Sequence, residues 1–184
     1  MRRLRDQVVP LAAGHVLEVG VGTGLNLRHY DRSKITSVTG LDPAVHLQER
    51  ARRRGRRAGI DLDFVGLPAE RFEAADARFD TVLMTYTLCS LENPMTSLGV
   101  MRRALRPEGR LVFCEHGRAP DPGVSRWQMR LTPVWRKVAG GCHLDRDVLA
   151  LLREGGFACR EPRTLYLPGP RPFTYTTWGI ATPA

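Results

Sequence analysis

The sequence predicts an α/β fold, a doubly wound and mostly parallel sheet in a single domain. Three observations carry that reading. Strand-like and helix-like segments alternate along the chain, the pattern of βα units wound about a parallel sheet. Val16-Leu17-Glu18-Val19 reads as a buried strand and runs directly into Gly20-Val21-Gly22-Thr23-Gly24; such a turn lets backbone pass close to a ligand, because no Cβ intrudes. Asp42 then ends a second apolar run, 22 residues beyond Gly20. In nucleotide-binding α/β folds an acid about 20 residues on accepts hydrogen bonds from ribose hydroxyls.

The elements follow in order. Strands are expected at Val16–Val19, Ile35–Leu41, Leu62–Val65, Thr81–Tyr86 and Arg110–Glu115. Helices are expected near Leu25–Tyr30, Ala44–Arg57, Met95–Leu105 and Asp147–Arg153. Pro43 suits a helix start, where its missing N–H costs nothing. Asn93-Pro94 is an N-cap followed by proline at the first helical position. Leu98, Met101 and Leu105 mark the apolar stripe of that helix. Arg106-Pro107-Glu108-Gly109 is expected to end it and turn into a strand, and Gly155-Gly156 marks a helix C-terminus. The tail, Phe173 to Ile180, is aromatic and β-prone and is expected as a final edge strand. An added helix or lid is expected over residues 124–145, where Trp127, Met129, Leu131, Trp135 and Val138 alternate with Arg126, Arg130, Arg136 and Lys137. No internal repeat or low-complexity linker interrupts the pattern.

Length and composition set bounds. A chain of 184 residues is one domain's worth and can bury ~70% of its unfolded surface. No apolar run approaches the ~20 residues of a membrane span, and the basic start Met1-Arg2-Arg3-Leu4-Arg5 lacks the apolar stretch of a signal peptide. The four cysteines, Cys89, Cys114, Cys142 and Cys159, form no C-x-x-C pair. They read as reduced thiols of a cytoplasmic protein. A zinc site is not expected from Cys89, His116, Cys142 and His143, because no two of them stand at tight ligand spacing. The net charge is +9. Arginine clusters at Arg50, Arg52, Arg53, Arg54, Arg56 and Arg57, while Ala44, Leu47, Ala51, Gly55 and Ala58 form the opposing stripe. Most of these arginines therefore fall on a solvated face. An anionic membrane surface is the functional alternative, whereas nucleic acid is disfavoured, since no aromatic interleaves with the arginines to stack on bases.

The glycine turn itself, E-x-G-x-G-x-G, differs from the dinucleotide fingerprint G-x-G-x-x-G. It resembles motif I of class I S-adenosylmethionine-dependent methyltransferases, whose fold is Rossmann-like. Phe79-Asp80-Thr81-Val82 resembles the strand-four motif of the ubiquinone/menaquinone-biosynthesis type. Arg102 to Leu111 resembles their R-x-L-[RK]-P-G-G-x-L motif, with Glu108 in place of the first glycine. Leu88-Cys89-Ser90, Glu115-His116 and Gly141-Cys142-His143-Leu144 are similar to a branch containing bacterial phospholipid N-methyltransferases and animal methyltransferase-like thiol S-methyltransferases. The resemblance spans Arg3 to Ala181.

That resemblance implies S-adenosylmethionine as cofactor and methyl transfer to a small-molecule or lipid-like acceptor. It places Glu18, Gly20, Gly22 and Gly24 around the methionine and ribose, Asp42 on the ribose hydroxyls and Pro43 beside the adenine. Ala69 and Glu70 would reach the adenine edge, with Pro68 where an aspartate is usual. Thr85 to Ser90 would line the floor between cofactor and acceptor. Motif I begins after only 15 residues, where related enzymes carry a longer helical cover; truncation, a partner or an open site are the alternatives. No Asn-Pro-Pro-[Tyr/Phe] follows strand four, which argues against base amines and glutamine as acceptors. An RNA methyltransferase and a non-catalytic S-adenosylmethionine-binding protein are the competing readings.

Methyl transfer rests mainly on positioning, and a general base serves only protonated or weakly acidic acceptors. His116, Cys89 and His143 are the acceptor-side candidates. Each follows a strand or precedes a helix at the sheet's carboxyl end, and His143 precedes a helix expected to be capped by Asp145. All three are expected to face one cavity. The oligomeric state is not written in the sequence.

Overall fold

The computed structural model describes residues 2–73 and 77–184. In chain order its principal elements are α1 (Arg2–Val8), β1 (Gly14–Val19), β2 (Ile35–Leu41), α2 (Gln48–Ala58), β3 (Leu62–Val65), β4 (Phe79–Thr85), α3 (Pro94–Ala104) and β5 (Leu105–His116). They continue with α4 (Pro122–Val138), α5 (Val148–Glu154), β6 (Phe157–Cys159), β7 (Arg163–Tyr166) and β8 (Tyr175–Pro183). One sheet runs β3-β2-β1-β4-β5-β8-β6, with β7 also paired to β8. The first five strands are parallel and the last three pair antiparallel.

Strand alternation divides the apolar residues between two cores. Leu17, Val19, Val82, Met84, Leu111 and Phe113 face one side and pack against Leu98, Met101, Val148 and Leu152 of α3 and α5. Val16, Leu83, Val112 and Cys114 face the other, against Leu4, Val8 and Ala51 of α1 and α2. Both faces are covered, which is why the central strands read as continuous apolar runs.

Several expectations are corrected. Leu25–Tyr30 is no helix but a series of turns with one 3-10 turn at Leu27–His29, because Asn26 and Tyr30 turn inward to Glu18. Residues 106–109 do not separate helix from strand. They form an irregularity within β5, where the pairing steps from Phe79–Leu105 to Thr81–Arg110. The tail strand is not an edge: β8 lies between β5 and β6. The cap of α5 is Asp147, whose side chain accepts from the Ala150 N–H at 3.0 Å, and not Asp145. The Asn93 cap of α3 is present, its side chain accepting from Thr96 N–H at 3.1 Å.

Two residues of the resemblance motifs sit at the opposite end of the sheet from the glycine turn. Asp80 pairs with Arg106 and accepts from the His15 N–H at 2.7 Å, beneath Gly14, whose φ is +68°. They tie β1, β4 and β5 together at their amino ends, where they serve the fold.

Candidate functional site

The carboxyl ends of β1, β2, β3 and β4 form one crevice. The turn after β1 is fastened to the end of β2: Gly20 and Val21 N–H both donate to Leu41 C=O. Gly20, Gly22 and Gly24 all have positive φ, +75°, +51° and +75°. Their surroundings differ. A Cβ on Gly20 would lie 2.2 Å from Thr87 Oγ1, and one on Gly24 would lie 3.1 Å from the Ala51 Cα. These two glycines let the next loop and α2 approach. A Cβ on Gly22 would meet nothing nearer than Asp42 Oδ2 at 3.8 Å, so its outer side is open. Backbone presented to open space beside a carboxylate fits a ligand lying along the turn.

Asp42 closes the turn from below. Its Oδ2 accepts from Gly22 N–H and its Oδ1 from Ala44 N–H, both at 2.8 Å. Each oxygen keeps a further acceptor position, available to ligand hydroxyls. Pro43 follows, exposed. At the end of β3, Ala69 is buried and Glu70 accepts from the Asn93 N–H at 3.1 Å.

Glu18 is not at the surface of the crevice. It is fully buried, with Oε1 accepting from Asn26 and Oε2 from the Tyr30 hydroxyl. Burial pushes its carboxyl up to about 7, against the lowering effect of those hydrogen bonds. Asn26 also donates to Thr85 Oγ1 at 2.9 Å and accepts from Arg5 Nε at 2.9 Å. Glu18 and Thr85 thus belong to a buried polar hub beneath the glycine turn. Sequence reasoning missed Asn26, Tyr30 and Arg5 in this role. The available signal was Glu18 itself, an acid in a buried strand that must find donors.

Arg54 is a further residue the sequence did not single out. Five of the six clustered arginines are exposed as expected, but Arg54 is half-buried and donates to the Thr23 carbonyl and hydroxyl. It fastens α2 to the glycine turn.

The loop after β4 is anchored by Glu115. This carboxylate is buried in β5 and accepts from the Thr87 N–H at 2.8 Å, holding the loop after β4. Burial pushes it up to about 7, opposed by the N–H groups of residues 87–89. Thr87 in turn donates to the Val19 carbonyl at 3.1 Å, joining this loop to the glycine turn.

The structure brings Cys89 and His116 together, with Cys142 as the third member. Cys89 Sγ, His116 Nε2 and Cys142 Sγ all lie within 4.8 Å of one another, and the Cys142–His116 contact is 3.2 Å. The Cys89 thiol is raised by its hydrogen bond with Cys142 and by burial, whereas the same hydrogen bond lowers Cys142. His143 does not join them through its side chain, which stands 4.0 Å from Asp145. It contributes its backbone N–H, donated to the Cys89 carbonyl at 2.8 Å. Of the three side chains expected to face one cavity, Cys89 and His116 lie together with Cys142 beside them, and that of His143 is not among this group. Three separate loops supply these side chains, so spacing along the chain does not report their proximity.

Comparison with known proteins agrees with this architecture. Residues 17–113 match the family model described as a methyltransferase domain. The human thiol S-methyltransferase TMT1B is 34% identical over 166 residues, covering 85% of this chain and 67% of that protein. A phosphatidylethanolamine N-methyltransferase of Cereibacter sphaeroides is 32% identical over 117 residues, covering 62% of this chain and 57% of its own length. The chain spans 59% of the rat TMT1B. Among solved structures, the N-methyltransferase NodS of Bradyrhizobium japonicum, in complex with S-adenosyl-L-homocysteine, superposes with a TM-score of 0.74 at 18% identity, over 99% of this chain and 86% of that one. A sheet of class I methyltransferase topology, a family match over more than half the chain and a relative a third identical along most of its length lead to one conclusion: the chain belongs to the methyltransferase domain family.

Proposed function

We propose that the chain transfers a methyl group from S-adenosylmethionine to a small-molecule or lipid-like acceptor. The observation that carries the reading is Gly22, whose backbone faces open space beside the Asp42 carboxylate. When bound, S-adenosylmethionine supplies a methyl group already activated on a sulfonium. Asp42 would hold the ribose hydroxyls through its remaining acceptor positions, and Gly20, Gly22 and Gly24 would border the ribose and methionine. Pro43, Ala69 and Glu70 would flank the adenine. Glu18 and Thr85 act from behind, by fixing Asn26 and the turn. Cys89, His116 and the segment around His143 would form the acceptor side, since Thr87 and Glu115 hold their loops against the glycine turn.

A panel of thiol, phenol, amine, quinone and phosphoethanolamine-lipid acceptors with labelled S-adenosylmethionine tests this reading. One class is expected to be methylated, and His116→Ala is expected to lower turnover at least tenfold with cofactor affinity unchanged. Cofactor binding without turnover on any class would instead identify a binding protein. Salt-sensitive retention and methylation of RNA would identify the nucleic-acid reading.

The acceptor's lipid-like character has its own support in α4. The fully buried residues of this helix are polar: Gln128, bonded to Gly117 C=O and Ala119 N–H at 2.9 Å, and Thr132. Val124, Leu131 and Trp135 are partly buried, while Trp127, Val134 and Val138 face out, exposed by 56%, 67% and 75%. Arg126, Arg130, Arg136 and Lys137 surround them, also exposed. Tryptophan among basic residues on an exposed helix suits the interface of an anionic membrane. No helix among the described residues is long and apolar enough to cross one. Sedimentation with anionic vesicles is expected to exceed that with neutral vesicles, to weaken with salt, and to fall roughly tenfold in Trp127→Asp, about 1.4 kcal/mol. Equal sedimentation with both vesicle types would leave α4 a solvated helix.

A further inference from the structure

We propose that Cys89, His116 and Cys142 form a binding site for a soft divalent cation of the zinc class, with three protein donors and a fourth position open. The donors come from three loops at one end of the sheet: Cys89 follows β4, His116 ends β5 and Cys142 follows α4. Their ligand atoms lie within 4.8 Å of one another, with Cys142 Sγ and His116 Nε2 at 3.2 Å. A tetrahedral metal bound at ~2.3 Å to sulfur and ~2.0–2.1 Å to imidazole nitrogen holds its donors ~3.5–3.8 Å apart. The cluster therefore needs only small side-chain adjustments to close on an ion. Two thiolates and one imidazole are the donor set of a soft or borderline metal, in the open arrangement of three protein ligands plus an exchangeable one.

The loops are held in place by contacts that do not involve the donor atoms. His143 N–H donates to the Cys89 carbonyl at 2.8 Å. Arg146 donates to the Leu88 carbonyl and, at 2.8 Å, to that of Leu91. The Glu115 carboxylate holds Thr87. Gly140 and Gly141, with φ of +60° and +82°, turn the chain back so that Cys142 points at the other two. The sulfurs are buried, which limits competing water. Among the described residues, Glu115 Oε2 and His116 Nδ1 in this corner are buried with no hydrogen-bond partner. A buried acid beside a cation site offsets part of the ion's charge. None of the three donors is among the residues proposed to hold the cofactor, so cobalt binding and S-adenosylmethionine binding are read separately.

Cobalt(II) titration of the reduced, metal-free full chain tests the proposal. Sulfur-to-cobalt charge-transfer absorption and the strong d–d bands of a tetrahedral thiolate site are expected at about one ion per chain, displaced by added zinc. Cys89→Ser, Cys142→Ser and His116→Ala should each weaken binding by more than the ~10–100-fold that outer-shell changes cost. Cys159→Ser, on β6, should leave it unchanged. Should a cysteine variant fail to fold by circular dichroism, chelator competition on the wild type, with Cys159→Ser as control, still reads the site. Absence of the cobalt–thiolate spectrum in folded, fully reduced wild type overturns the proposal. So does binding that survives Cys142→Ser, as does a chain isolated with a Cys89–Cys142 disulfide that takes up no cobalt after full reduction.

Discussion

Asp42→Ala is expected to weaken S-adenosylmethionine binding by more than tenfold. The carboxylate has two tasks that the substitution removes together. It caps the backbone on both sides of the crevice, accepting from Gly22 and Ala44 N–H at 2.8 Å, and its remaining acceptor positions are those offered to the ribose. Hydrogen bonds to a charged acceptor are worth roughly 1.5–3 kcal/mol each, so loss of even one ligand contact exceeds the ~1.4 kcal/mol of a tenfold change. The two tasks can be separated. Asp42→Asn keeps one oxygen acceptor and loses the charge. It should preserve more stability than alanine while still losing affinity. Calorimetric titration below the melting temperature of each variant measures the affinity, and thermal unfolding measures the structural part. An unchanged dissociation constant in Asp42→Ala would remove the ribose assignment.

Gly22→Val is expected to abolish detectable cofactor binding in a protein that remains folded, whereas Gly20→Val is expected to lose its fold as well. Both positions have positive φ, which costs an L-residue roughly 1–2 kcal/mol. Beyond that they diverge. The new side chain at Gly22 enters open space, where only Asp42 Oδ2 and the Gly20 carbonyl come within 4 Å. It harms only what would lie there. At Gly20 a Cβ would stand 2.2 Å from Thr87 Oγ1, and Thr87 is itself bonded to Val19 and Glu115. The clash therefore spreads into the loop that carries Cys89, adding a typical overpacking cost of ~1–3 kcal/mol. Thermal unfolding should show a small fall for Gly22→Val and a large one for Gly20→Val. Retained cofactor affinity in folded Gly22→Val would show that no ligand lies along this turn.

Local chemistry made much of the site legible. The strands Ile35–Leu41 and Leu62–Val65 occur with the expected bounds, because short β-prone segments bounded by turn residues are decided locally. The Asn93-Pro94 helix start is in place, because capping is decided within one turn of chain. The glycine turn and Asp42 were readable for the same reason: positive φ at Gly20, Gly22 and Gly24 and the Asp42 bonds to Gly22 and Ala44 N–H need particular residue types at short spacing. The limits of local reading appear at Leu25–Tyr30. Its composition permits a helix, yet Glu18, buried in β1, draws Asn26 and Tyr30 inward and leaves turns in its place.

By itself the sequence determined the alternation of elements, the parallel core of the sheet, the glycine turn with its acid, and the thiol and imidazole side chains available to the loops. The tertiary structure alone decided which of those side chains meet. Cys89, His116 and Cys142 are separated by 27 and 26 residues and come together only because β4, β5 and α4 end at the same corner. It likewise decided that β8 lies inside the sheet and that α4 buries Gln128 while exposing Trp127. Periodicity along a chain reports that a helix or strand has two unlike faces. Which face is covered, and by what, depends on partners distant in sequence, and that information exists only once the sheet has closed.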